Sequence, residues 1–236
     1  MKKIALALSF ASLCLAAPVL AQTVLYDASG GQKVSQFGGW TVLPTTFESF
    51  SSSTTLYDTS ASNTLQGGFS RSDQALSRLL GLSLGFTLKV DSEIHDGANG
   101  PNRSGVSVIA ITSDLMGIEL GFWTDRVWAQ SGPAFTKAEE GFFNTTVALA
   151  NYSLQILGGN YQLLANGAPV VSGPLRDYSS FGAPYNNPNF LFFGDDTTSA
   201  RGSFRTSRIT LGSVAPEPAT LGLLALGGMF LVRRRR

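Results

Sequence analysis

The feature that most constrains this chain is its punctuation. Between residues 22 and 214, short alternating or apolar runs are cut by Gly, Asn, Asp and Ser. Such runs suit strands joined by tight turns. "GFTLKVDSEIH" alternates Phe86, Leu88 and Val90 with Thr87, Lys89 and Asp91. "SGVSVIAITSD" sets Val106, Val108 and Ala110 on one face, and "GIELGFWTDRVWAQ" follows a turn placed at residues 116–117. Further strand signals are "YSLQIL", "YQLLA", "APVVSG", "NFLFFGDD" and "SFRTSRITLG". Asn166 and Gly167 form the strongest hairpin signal, and Gly158, Gly159 and Asn160 mark a second tight turn. The one helical pattern is "SDQALSRLLG", with Ser72 or Asp73 as cap and Gly81 as stop. "ESFSSSTTLYDTSAS", within residues 23–70, reads as edge strands or loop. Charged residues make up only 14% and glycines number 26, a balance that favours turns and strands over helices. The expectation is an all-β, antiparallel β-sandwich over residues 22–213.

The two ends differ from this body. "MKKIALALSFASLCLAAPVLAQT" has the three parts of a secretory signal: Lys2 and Lys3, an apolar stretch, and Val19 and Ala21 at the −3 and −1 positions. Residues 1–21 are therefore expected to be a signal peptide, read by the Sec machinery and removed by signal peptidase before Gln22. The single cysteine, Cys14, lies in that leader, so the processed chain is expected to lack disulfides. Leu13 is too bulky for a lipoprotein signal ending at Cys14. At the other end, residues 219–232 form an apolar run that spans roughly 21 Å as a helix, short of the ~30 Å hydrocarbon core. With local thinning it can insert as a transmembrane helix, and Arg233, Arg234, Arg235 and Arg236 then stay on the cytoplasmic side as a basic anchor.

Pro216, Glu217 and Pro218, the apolar run with Gly227 and Gly228, and the arginine cluster together resemble the PEP-CTERM sorting signal of Gram-negative bacteria, over residues 214–236. The resemblance implies recognition by an exosortase, a membrane protease that cuts near Pro-Glu-Pro, and association with exopolysaccharide or biofilm matrix. The same tail carries the label "ice-binding protein C-terminal domain". No Thr-x-Thr ladder accompanies it here, which speaks against ice binding by the body. The strand order, with a late "YQLLANG" hairpin before a closing "RITLG", resembles concanavalin A-like (laminin G-like) jelly rolls. It is also similar to the exported "choice-of-anchor" domains that carry such tails.

Several classes of chemistry are disfavoured. Lys and Arg total 17 against 16 Asp and Glu. Much of the positive charge sits at the two ends, so the body is mildly acidic and no basic patch points to nucleic acid. Gly-x-Ser-x-Gly, the P-loop and the dinucleotide fingerprint are absent. One histidine and no cysteine in the body argue against zinc.

The remaining candidates cluster in two stretches. If "DSEIHDG" is a strand, Asp91, Glu93 and His95 share one face. The acids fall near, but not on, the Glu-x-Asp-x-x-Glu pattern of glycoside hydrolases of the same fold. In "GFWTDRVWAQ", Trp123 and Trp128 are candidate sugar platforms beside Asp125, Arg126 and Gln130. Five apart on one strand, the two tryptophans would face opposite sides. Arg103 would reach Glu93 if the strands around "DGANGPNR" form a hairpin. The ligand-binding set is then Glu93, His95, Arg103, Trp123 and Asp125. Asp195 and Asp196 in "GDDTTSA" read as turn residues, with calcium ligation as the alternative. No catalytic residue, metal or cofactor is assigned.

The reading is an exported protein, held transiently in the inner membrane and then released to the cell surface or matrix, with a non-enzymatic sandwich that binds polysaccharide. The rivals are a glycan-cleaving enzyme centred on Glu93 and a purely structural matrix protein.

Overall fold

The computed structural model describes residues 22–132 and 134–214. The leader, residues 216–218, the apolar run and the four terminal arginines lie outside the described residues. In chain order the strands are β1 (Thr23–Asp27), β2 (Thr41–Leu43), β3 (Glu48–Ser51), β4 (Thr54–Asp58), β5 (Gly67–Arg71), β6 (Leu82–Ile94), β7 (Ser107–Ile111), β8 (Met116–Phe122), β9 (Arg126–Gln130), β10 (Lys137–Phe142), β11 (Ala150–Leu157), β12 (Asn160–Ala165), β13 (Ala168–Pro174), β14 (Arg176–Asp177), β15 (Phe190–Asp195), β16 (Arg201–Thr206) and β17 (Arg208–Gly212). Among the described residues there is no α-helix, only single 3₁₀ turns, and no helix is long and apolar enough to cross a membrane.

The strands form two antiparallel sheets. Sheet one runs β13-β12-β11-β6-β16-β4-β3, with β17 between β6 and β1. β16 and β17 together line one edge of the long β6, from the Arg201–Ile94 pair to the Gly212–Ser83 pair. Sheet two runs β10-β9-β8-β7-β15-β5-β2, with β14 added to β8. Alternation does the packing: Leu82, Leu84, Phe86, Leu88 and Val90 of β6 turn inward, as do Val108 and Ala110 of β7 and Ile118, Leu120 and Phe122 of β8. Phe86 meets Phe122 and Phe193 edge to face across the sheets, at 6.2 and 5.3 Å. The hairpin signals hold: Asn166 and Gly167 join β12 to β13 with φ of 51° and 82°, the left-handed pair a type I′ turn requires. Gly158 and Gly159 likewise join β11 to β12.

Four expectations are corrected. Residues 72–80 are not helical. Leu76 is buried, its N–H donates to Asn189 Oδ1 at 2.9 Å, and its carbonyl accepts from Ser113 at 2.8 Å. Those tertiary bonds take the groups that an i→i−4 ladder would use. β6 and β7 are not a hairpin and lie in opposite sheets. Both edges of β6 are occupied, by β11 and by the β16–β17 pair, so residues 95–106 cross over and β7 pairs with β8 and β15. Asp91 and Glu93 lie on opposite faces, because the register of β6 against β16 shifts between Val90 and Ser92. That bulge leaves Asp91 outside with Lys89 and Arg205 and turns Glu93 inward. The turn before β8 falls at residues 112–115, where Leu115 takes a φ of 65°.

Candidate functional site

Three of the five sequence-predicted ligand residues meet where the crossover leaves β6. Glu93 Oε2 lies 2.9 Å from His95 Nδ1, and Glu93 Oε1 accepts from the Gly105 N–H at 3.4 Å. Burial pushes the Glu93 carboxyl up to about 8 and lowers His95. Near neutral pH a protonated Glu93 donates to a neutral imidazole. The His95 ring lies flat on Trp123, at 3.8 Å and 1°. Lys137 Nζ stands 4.7 Å from the Trp123 ring centre and Arg126 5.7 Å.

This packing corrects the assignment of Trp123 as a sugar platform, since the ring is 8% exposed. The two tryptophans also do not face opposite sides. Thr124 and Asp125 turn the chain, so Trp123 N–H donates to Arg126 O and Trp128 sits on the neighbouring strand. The rings then meet edge to face at 5.7 Å, with Trp128 over Gly121, where any side chain would run into it. Asp125 turns outward into an ion pair with Arg126 at 2.8 Å, which holds its carboxyl below the usual range.

Arg103 does not pair with Glu93. Its carbonyl accepts from Trp123 Nε1 at 2.8 Å, while its Nη1 donates to the carbonyls of Asn102 and Phe135 at 2.7 and 2.6 Å. Arg103 thus faces a second cluster, on the outer face of sheet two, that the sequence reading missed. There a cavity of about 260 Å³ is lined by Arg103, Ser104, Glu119, Phe135, Phe181, Tyr185, Asp196 and Thr197. Tyr185 Oη lies 2.6 Å from Glu119 Oε2 and 3.0 Å from Asp196 Oδ2. The two carboxyls thus share the one phenol O–H as acceptors. Burial raises both acids, Glu119 strongly, and the Asp196 charge adds to the shift of Glu119. The walls are aromatic: Phe135 meets Phe181 edge to face at 4.1 Å and Tyr185 at 5.4 Å.

The local sequence builds this floor. On β8, Gly117, Glu119 and Gly121 share the outer face, and the two glycines leave room for Ile111 and Trp128 on either side of the acid. A lone acid between glycines in an otherwise apolar strand was the legible signal. Beside it on β9, buried Trp128 Nε1 and Gln130 Nε2 have no hydrogen-bond partner among the described residues. The segment after β14 folds over this face, anchored by Tyr178 Oη donating to Gln130 O at 2.6 Å. Asp196 also borders a wider depression of about 420 Å³, lined in part by Leu43, Phe190 and Phe192.

Asp195 and Asp196 do not converge on one point. Asp195 turns into the sandwich, accepting from Thr59 Oγ1 at 2.7 Å, with burial raising it to about 8. Asp196 turns outward to Tyr185. Among the described residues no group of three or more metal-ligating side chains comes together.

Solved structures of the same architecture exist. A conserved carbohydrate esterase from Shiga toxin-encoding bacteriophage phi24B aligns with a TM-score of 0.59 at 13% identity, over 82% of this chain and 99% of that one. The Emp46p carbohydrate recognition domain aligns with a TM-score of 0.50 at 10% identity, over 80% and 94%. Identities this low show the fold alone, a concanavalin A-like jelly-roll sandwich. No curated protein matches the chain. Residues 214–236 match the PEP-CTERM protein-sorting motif, which implies export, C-terminal membrane anchoring and processing by an exosortase.

Proposed function

We propose that this chain is an exported protein, released by exosortase to the cell surface or matrix, whose sandwich binds an extracellular polysaccharide over the outer face of sheet two. One observation carries the reading: a cavity of about 260 Å³ joins a Glu119–Tyr185–Asp196 floor and Arg103 to the walls of Phe135 and Phe181. Polar groups at the base of an aromatic-walled cavity can bind sugar hydroxyls and pack against C–H faces. The depression beyond Asp196 extends the surface past a single sugar unit. The two solved structures named for carbohydrate chemistry share this fold.

A second reading, glycan cleavage, is favoured by one feature. Two neighbouring carboxyls whose ionisation is pushed up by burial are potential acid catalysts. The processed, exported protein on a glycan array separates the two. Capture of a glycan, weakened at least tenfold by Glu119→Gln and by Phe181→Ala, supports binding. Product release that Glu119→Gln abolishes supports cleavage. Silence toward every glycan overturns both in favour of a structural matrix role.

A further inference from the structure

Three leucines project from the body in two neighbouring segments. Leu79 is 75% exposed, Leu80 82% and Leu157 56%. The segments are bonded together: Gly158 N–H donates to Arg78 O at 2.8 Å, and Arg78 Nη1 donates to Gly158 O at 3.1 Å. The same place is where the chain leaves the sandwich. A methyl carbon at Gly81 would lie 3.2 Å from Leu157 Cδ1 and 3.4 Å from Val214 Cβ. Leu80, Leu82, Leu211 and Ser213 line one cavity there, of about 370 Å³. The leucines therefore surround the exit of the C-terminal segment.

The length of that segment decides what they meet. Between Val214 and the apolar run that opens at Ala219 stand only Ala215, Pro216, Glu217 and Pro218. Fully extended, such a stretch reaches at most ~18 Å. While the apolar run is anchored in a bilayer, Val214 is confined to within that distance of the lipid. We propose that Leu79, Leu80 and Leu157 form a lipid-contacting surface that seats the body on the outer leaflet of the inner membrane before release. The inference rests on the anchoring that the sorting motif implies and is independent of the carbohydrate reading. Three leucines alone bind a membrane weakly and reversibly, and the covalent anchor supplies the second hold. After cleavage the seat lets go. Until then it keeps Pro216, Glu217 and Pro218 at the interface, where a membrane protease works.

The test uses the full chain, with Cys14→Ser, reconstituted in phosphatidylethanolamine–phosphatidylglycerol vesicles. A polarity-sensitive fluorophore is placed on Leu80→Cys and, separately, on Val147→Cys, a residue 76% exposed elsewhere on the body. The expected result is a blue shift and quenching by brominated lipid at position 80, and neither at 147. Replacing Leu79 and Leu157 with Ser should cut the quenching at position 80 several-fold without altering the melting temperature. Equal quenching by aqueous iodide at both positions overturns the proposal. So does a blue shift at position 80 that appears only when exosortase is co-reconstituted, which would assign the leucines to the protease.

Discussion

Trp123 is stacked on the His95 ring, has the Lys137 and Arg126 cations 4.7 and 5.7 Å from its ring centre, and donates its indole N–H to Arg103 O. Trp123→Ala should therefore destabilise the fold by roughly 3–5 kcal/mol, the cost of truncating a buried tryptophan. Urea unfolding checks it, and a loss below about 1 kcal/mol would return Trp123 to the surface. Glu93 next to it gives a pH test. Its folded carboxyl titrates at about 8 against an ordinary 4.5. The protonated form is thus favoured by folding, and this contribution is full below about pH 4.5 and lost as pH rises through 8. His95 works the other way: its lowered value removes stability as pH falls below the ordinary 6.5. Around the pair stand Asp125, Asp96, Lys137 and Arg126. The uncharged Glu93→Gln should accordingly match the parent at pH 5 and melt higher than it at pH 8. A parent-minus-variant difference that does not change with pH would show that Glu93 ionises normally.

Leu76 shows what an element-level pattern can and cannot reveal. "SDQALSRLLG" carries helix formers and a cap, yet of its three leucines only Leu76 is buried, while Leu79 and Leu80 stand in solvent. A two-turn helix is marginal by itself, so two tertiary hydrogen bonds to the Leu76 backbone suffice to override it. Leu76→Ala should cost about 2–5 kcal/mol and Leu79→Ala under 0.5, measured by thermal melts. Equal effects would mean that the segment packs differently. The strands of residues 82–212 were largely legible because side-chain alternation and glycine turns are local properties. Strand partners were less so. Whether β6 meets β7 depends on which edges later segments occupy, and β16 and β17 lie more than a hundred residues downstream of β6. The bulge at Asp91 was invisible for the same reason, as one unpaired residue leaves no mark on composition. Of the candidate site, Glu93, His95 and Trp123 were found together but assigned to ligand binding, whereas they pack against one another. The Glu119–Tyr185–Asp196 floor was missed because its members, apart from Asp196 as a calcium alternative, stood alone in the sequence.

At the scale of the whole body, residues 22–214 contain no cysteine, so thermal unfolding should be identical with and without a thiol reductant. A reductant-dependent melt would show that the leader, with Cys14, is still attached to the protein measured. Removing residues 201–214 should abolish cooperative unfolding altogether. β17 lies between β1 and β6, and β16 between β6 and β4, so their loss breaks sheet one into three pieces, with β1 left unpaired. A surviving sharp transition would show that the remaining strands close without them. The same placement sets a clock on secretion. β1 opens the body and β17 closes it, yet they are neighbours, with Thr23 opposite Leu211. A chain threaded through a translocon from its N-terminus cannot complete sheet one until its last strand has crossed. Exported that way, as the leader predicts, the body would travel unfolded and lock only on the far side. Residues 216–218 follow directly behind β17 in the sequence, so the processing signal would reach the membrane just as the cargo it releases becomes whole.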